Sequence, residues 1–125
     1  MSIEPVTAPN LPKYKLPFSP AIKAGGFIFV SGQASLDDDG NVVLDTFDNE
    51  FHRTMSCIQR ILTAAGASLK HVVQVKSYVR DPESVPRYNE LYRQYFSEPY
   101  PARSTIVKCL GQIQFEMDVV AYVGE

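Results

Sequence analysis

The chain has only two cysteines and two histidines among 125 residues, which removes most familiar catalytic sets at the outset. Cys57 and Cys109 have neither the spacing of a zinc site or redox pair nor the number for a disulfide framework. Cys57 falls in a predicted helix and Cys109 in a predicted strand, where each is expected to pack as a small hydrophobe. His52 and His71 are far apart and read as a helix-face and a strand-start residue, so no metal site is expected. No glycine-rich phosphate loop occurs, which excludes the usual nucleotide cofactors. "SGQ" at 31–33 lacks the flanking pattern of a serine-hydrolase elbow. Lys and Arg number 12 against 14 Asp and Glu, a net charge of -2 with no basic run, so nucleic acid is not an expected partner. No apolar run approaches the ~20 residues of a membrane span. The opening "MSIEPVTAPN" has no positive and then apolar segment of the secretory kind, and a cytoplasmic protein is the expectation.

What is present suits one domain, residues 1–125, with hydrophobic residues at 45% of the chain. Residues 1–12, with Pro5, Pro9 and Pro12, read as an irregular arm. "FIFVSGQ" (27–33) reads as a strand, and "LDDDGNVV" (36–43) as a solvated turn. Its three aspartates lack the glycine and glutamate spacing of a calcium loop. Over 46–65, Phe47, Phe51, Met55, Ile58, Ile61, Leu62 and Ala65 recur at three- and four-residue steps, which predicts a helix. Asp45 or Thr46 suits its start and Gly66 its stop. "HVVQVKSYV" (71–79) alternates as a strand, with Val73, Val75, Ser77 and Val79 on one face. A second helix is predicted over 83–96, with Val85, Tyr88, Leu91, Tyr92, Tyr95 and Phe96 inward, and two strands follow near 103–110 and 114–123. In the last, Phe115, Met117, Val119, Ala121 and Val123 share one face and Glu116, Asp118, Val120 and Tyr122 the other. The economical arrangement is α+β, a mixed sheet with two helices on one face.

Such a sheet leaves its second face without a helix to cover it. Val72, Tyr78, Ile106, Leu110 and Val120 make that face more apolar than water requires, which predicts self-association as a ring or dimer. Scattered surface apolar residues without meaning are the alternative. Arg103 enters one strand and Glu116 the next, and if those strands pair, both side chains reach one sheet edge. An arginine fork matches a carboxylate, and a nearby carboxylate can hold and polarise water. Spacing alone leaves that reading open beside a plain Arg103–Glu116 ion pair that fixes strand register.

"FIFVSGQ", "AAGASLKHVVQVKSYVRD", "YNELYRQYF" and "PYPARSTIV", in this order, closely resemble the RidA family, also called YjgF. The resemblance runs from about residue 17 to residue 123. It implies a chorismate-mutase-like fold, a homotrimer with clefts between subunits, and cofactor-independent hydrolysis of imines and enamines to ammonia and a 2-oxo acid. Under it, Arg103 grips the substrate carboxylate, Glu116 positions the attacking water, Thr105 falls where the family makes backbone contacts to the ligand, and Ser31 and Asn89 line the pocket. An iminium carbon is already electrophilic, so orientation and one held water suffice.

Three departures from the family pattern bear on the substrate. "LPFSP" (16–20) stands where Gly-Pro-Tyr-Ser-Gln is common, so Phe18 replaces a tyrosine and Pro20 a glutamine. The loop "CLGQ" (109–112) is short, and "EMD" (116–118) keeps both acids. With Phe18 as an apolar substrate-binding residue, a 2-aminomuconate-type product of ring cleavage is expected in preference to a small 2-imino acid. The competing expectations are a non-catalytic trimer that binds a small carboxylate and, least favoured, a ribonuclease or translation inhibitor.

Overall fold

A computed structural model gives the structure of the protein and describes residues 2–7, 10–11 and 14–124. The elements in chain order are β1 (Ile3–Pro5), β2 (Ala21–Ala24), β3 (Phe27–Gln33), α1 (Phe47–Ala64), β4 (Val72–Val79), α2 (Val85–Tyr92), β5 (Ala102–Val107) and β6 (Phe115–Tyr122). The six strands form one sheet in the order β1-β2-β3-β6-β4-β5. Only β4 and β5 run parallel, joined across α2, and the other pairs are antiparallel. The α+β expectation of two helices packed on one face of a mixed sheet holds.

α1 forms where the sequence period requires it. Thr46 accepts from the Asn49 amide at its start, and Gly66 takes the left-handed turn (φ 84°) just past its end. Its stripe of Phe51, Met55, Ile58, Ile61 and Leu62 is fully buried against the sheet, each side chain contributing roughly 1.5–3 kcal/mol of transfer free energy. Phe51 meets Phe115 of β6 with ring centroids 4.7 Å apart. Glu50 is buried too, and its carboxylate accepts from the Asp45 amide (3.1 Å), the Gln114 amide (2.9 Å) and the Gln114 side chain (3.2 Å). That clasp joins the start of α1 to the entry of β6.

Several expectations are corrected. Residues 1–12 are not wholly irregular: Ile3–Pro5 pairs antiparallel with Ala21–Ala24, and Val6 is buried. β1 is an edge strand, where a proline costs no ladder bond that the sheet needs; Pro9 and Pro12 lie outside the described residues. β2 itself was not anticipated. In β4 a register shift between Val72 and Gln74 turns Val72 inward and leaves Val73 exposed, reversing the expected alternation there. The second helix opens with a 3-10 turn (Pro82–Ser84) and ends at Tyr92, so Tyr95 and Phe96 pack from the turns beyond it. β5 stops at Val107, because Lys108 and Leu110 both take positive φ. Cys109 therefore lies in a half-buried loop and not in a strand core.

Among the described residues no helix covers the outer face of the sheet. Phe27, Phe29 and Tyr122 form an exposed aromatic cluster there, with centroids 4.8 Å apart for Phe27 and Tyr122. Ile106 is exposed on the same face. No helix among the described residues is long and apolar enough to cross a membrane.

Candidate functional site

Sheet register decides where the two principal side chains go. Arg103 is the partner of Val75 in the parallel β4–β5 pair, and Val75 is buried under the helices. Arg103 therefore projects to the helical side at the β5 edge, where its guanidinium carbon lies 5.0 Å from the Tyr88 ring centroid and 4.7 Å from that of Tyr92. Glu116 is the partner of Tyr78 in the β4–β6 pair, on the opposite, uncovered face. Moreover, β5 and β6 do not pair, because β4 lies between them. The expectation that both side chains reach one sheet edge fails within a single chain. No ion pair links them among the described residues, which also removes the register-fixing salt bridge.

Each residue instead belongs to its own open pocket. Asn89, Tyr92, Arg93, Tyr100, Pro101 and Arg103 line one of about 220 Å3 on the helical side. Asn89 stands three residues before Tyr92 on α2, so both meet the same patch of surface. Thr105, two residues along β5 from Arg103, is half-buried beside Ser77 and does not line this pocket. Tyr92 is buried, and its hydroxyl has no hydrogen-bond partner among the described residues. Burial, then the neighbouring Tyr88, push that phenol up to about 12 although Arg103 pulls the other way.

The second pocket, about 420 Å3, lies around Glu116 and includes Phe18, Gly32, Tyr14, Leu36 and Ile113. Phe18 is partly exposed and packs on Tyr14 at 5.1 Å. Gly32 leaves room for the acid, since a Cβ there would sit 3.3 Å from the Glu116 carboxyl carbon. Ser31 belongs to the scaffold of this pocket and does not line it: its hydroxyl donates to the Ser19 carbonyl at 2.6 Å and ties down the segment that carries Phe18. Burial, and then the negative charge of Asp118, hold the Glu116 carboxyl above the ordinary glutamate range. Asp118 accepts from the Tyr78 hydroxyl at 2.9 Å, so it is held while Glu116 has no donor among the described residues. A half-buried, unpaired carboxyl with a raised pKa suits proton transfer at neutral pH better than an ordinary glutamate does.

A family model described as Endoribonuclease L-PSP matches residues 9–123. The chain belongs to this family. Among its Rid-family relatives is a RutC family protein of Pyrococcus abyssi, 37% identical over 125 residues and 98% of each chain. A protein of Dermatophagoides farinae named 2-iminobutanoate/2-iminopropanoate deaminase is 28% identical over 102 residues, covering 81% of this chain and 80% of that one. The crystal structure of RidA from the Antarctic bacterium Psychrobacter sp. superposes with a TM-score of 0.87 at 27% identity, over 96% of this chain and 99% of the other. Beyond the expected residues, the Rid fold here adds Tyr88, Tyr92 and Tyr100 around Arg103, and Tyr14, Leu36 and Ile113 around Glu116. Tyr88 and Tyr92 stand four apart on α2, and that spacing, read together with Asn89, was a signal for a shared wall.

Proposed function

We propose that the protein is a cofactor-independent deaminase of imine and enamine intermediates, assembled as a homotrimer with its active clefts between subunits. The observation that carries this is the division of the site. Arg103 with Asn89 lies on the helical face at the β5 edge, and Glu116 with Phe18 lies over the uncovered face of the interior strand β6, each in an open pocket. The uncovered aromatic face supplies the apolar contact for association, and a second copy can bring one chain's Glu116 pocket opposite its neighbour's Arg103 pocket.

The chemistry follows from the groups. Arg103 receives the substrate carboxylate on its planar fork of donors. Ionised Glu116 takes a proton from water as the oxygen attacks the iminium carbon; it returns that proton to the carbinolamine nitrogen and takes up the hydroxyl proton as the C=O bond forms and ammonia leaves. One water is consumed, one C–N double bond becomes C=O, and neither oxidant nor cofactor is required. Support for imine hydrolysis comes from the relative of that name in Dermatophagoides farinae. Phe18, Leu16, Leu36, Val42 and Ile113 give the Glu116 pocket an apolar wall, and Lys15 lines it as well; beside 2-imino acids, an unsaturated chain ending in a second carboxylate, as in 2-aminomuconate, can use both. No relative described above bears that substrate in its name.

Ammonia release is the test, measured with imino acids freshly generated by an amino-acid oxidase and separately with 2-aminomuconate. Rates for wild type, Arg103→Ala and Glu116→Ala are compared with buffer, and a wild-type rate equal to buffer on every substrate sinks the proposal. The second reading, a trimer that only binds small carboxylates, is favoured by Phe18, which offers no hydroxyl to substrate or water. It predicts binding of 2-oxo acids through Arg103 with no turnover. The family description names an endoribonuclease, but a net charge of -2 gives RNA no electrostatic footprint.

A further inference from the structure

Arg103 is unlike every other arginine in the chain. Arg53, Arg60, Arg80 and Arg87 each pair with an aspartate, and Arg93 donates to the Asn89 carbonyl. Arg103 has no such partner among the described residues, and two tyrosine rings lie against its guanidinium instead. Those rings are themselves fixed. Tyr88 is fully buried, with its hydroxyl donating to Ser77 at 2.6 Å. Tyr92 stacks on Phe96 with centroids 4.5 Å apart and meets Tyr88 edge-on at 5.7 Å.

A long, exposed side chain ordinarily loses substantial rotamer entropy when a ligand immobilises it. An ion-pair partner would restrain it beforehand but would occupy the donors that the ligand needs. Aromatic faces restrain the cation through its π surface and leave the N–H groups in the guanidinium plane free. We propose that Tyr92, backed by Tyr88, is the positioning residue for Arg103, a ring clamp that presents an unoccupied donor fork to a carboxylate. This rests on the reading of Arg103 as the carboxylate grip. It also separates the two parts of Tyr92. The ring does the positioning, while the partnerless hydroxyl contributes nothing to the clamp.

The test measures kcat and KM for imino acids, and calorimetric binding of 2-oxobutanoate, for Tyr92→Phe, Tyr92→Leu, Arg103→Lys and the double variant Tyr92→Leu/Arg103→Lys. Tyr92→Phe keeps the ring and is expected to hold KM and Kd within about twofold of wild type, with a higher Tm because a buried orphan hydroxyl is gone. Tyr92→Leu is expected to weaken both KM and Kd by roughly three- to tenfold at unchanged kcat, the rotamer freedom that an unclamped arginine loses on binding. Lysine can still sit over the ring but has no planar donor fork for it to orient, so Tyr92→Leu should cost much less in the Arg103→Lys background than in wild type. Additive losses, or a Tyr92→Phe variant as weak as Tyr92→Leu, overturn the clamp. If Tyr92→Leu does not fold, Tyr92→Met supplies the ring-free side chain with similar volume. The deaminase reading fails separately, when wild type binds 2-oxobutanoate but turns over no imine. The grip itself fails when Arg103→Ala leaves that binding unchanged.

Discussion

Two inactive variants of this protein should restore activity when mixed. Arg103→Ala removes a charge-assisted, bidentate contact to the substrate, worth about 3 kcal/mol or roughly a hundredfold in kcat/KM. Glu116→Ala removes a proton-transfer group, with a loss of about 10²–10⁴-fold. The two side chains project from opposite faces of one sheet, so in the proposed oligomer each chain would supply an Arg103 half to one cleft and a Glu116 half to another. In mixed oligomers a cleft is intact when its Arg103 half comes from a Glu116→Ala chain and its Glu116 half from an Arg103→Ala chain. With a fraction f of one variant and random assembly, intact clefts follow f(1 − f), so equal mixing restores about a quarter of wild-type activity. This fraction does not depend on the number of copies in the ring, so the measurement tests sharing of the site and sedimentation separately tests the trimer. The assay is ammonia release from freshly generated imino acids after co-expression with two different tags. The expected signal rises from about 1% or less of wild type to about 25%, and it traces a parabola as the ratio is varied. Absence of recovery in oligomers shown to contain both tags would refute the shared cleft.

Four further outcomes follow from the site and its supports. Glu116 must be ionised to act as a base, and its pKa is raised by burial and by Asp118, so the acid limb of kcat/KM should lie above the ordinary glutamate value of about 4.3. Asp118→Asn removes the like charge and should move that limb to lower pH, whereas Glu116→Gln should abolish it; a limb unmoved by Asp118→Asn contradicts the assignment. The same raised carboxyl binds its proton more tightly in the folded state than in the unfolded one. Its contribution to stability therefore declines as pH rises from the unfolded through the folded pKa, and differential scanning calorimetry of Glu116→Gln should flatten that decline. Gly32→Ala brings a Cβ to within 3.3 Å of the Glu116 carboxyl carbon, and kcat should fall by about tenfold with little change in Tm, since only this group must shift; an unaltered kcat counts against Glu116 as the water-holding acid. Glu50→Ala strands the part-buried Asp45 and Gln114 amides and should cost about 2–4 kcal/mol, read as a Tm drop of about 10 °C.

The parts of the fold with strong periodicity were legible in the residues themselves. α1 and β6 each bury the face that their spacing marks, because one continuous core lies between them and nothing competes locally. β1 and β2 were not legible. They are three and four residues long, and Ile3–Pro5 gains its strand conformation only by pairing with Ala21–Ala24, some twenty residues away. Val72 and Val73 show the same limit. Either valine can face the core, and the choice is made by a register shift against β6 that no local preference encodes.

The residue types of Arg103 and Glu116 mark them in the sequence, but their spatial relation is set by tertiary topology. Adjacency in sequence suggested adjacent strands, whereas the parallel crossover through α2 sends β5 to the far side of β4 and leaves β6 on the near side. β4 then fixes parity: Val75, facing the helices, carries Arg103 to that side, and Tyr78, facing out, carries Glu116 to the other. A clamp for a carboxylate and a base for water cannot serve one small molecule across the thickness of their own sheet. The same outward parity exposes Phe27, Phe29 and Tyr122. In one chain those rings are apolar surface in water, an unfavourable exposure. In the proposed oligomer a second copy would cover them, removing that cost and bringing a foreign surface to each pocket. The arrangement that completes the hydrophobic surface is therefore also the one that can complete the site, which ties activity to association more directly than either residue does alone.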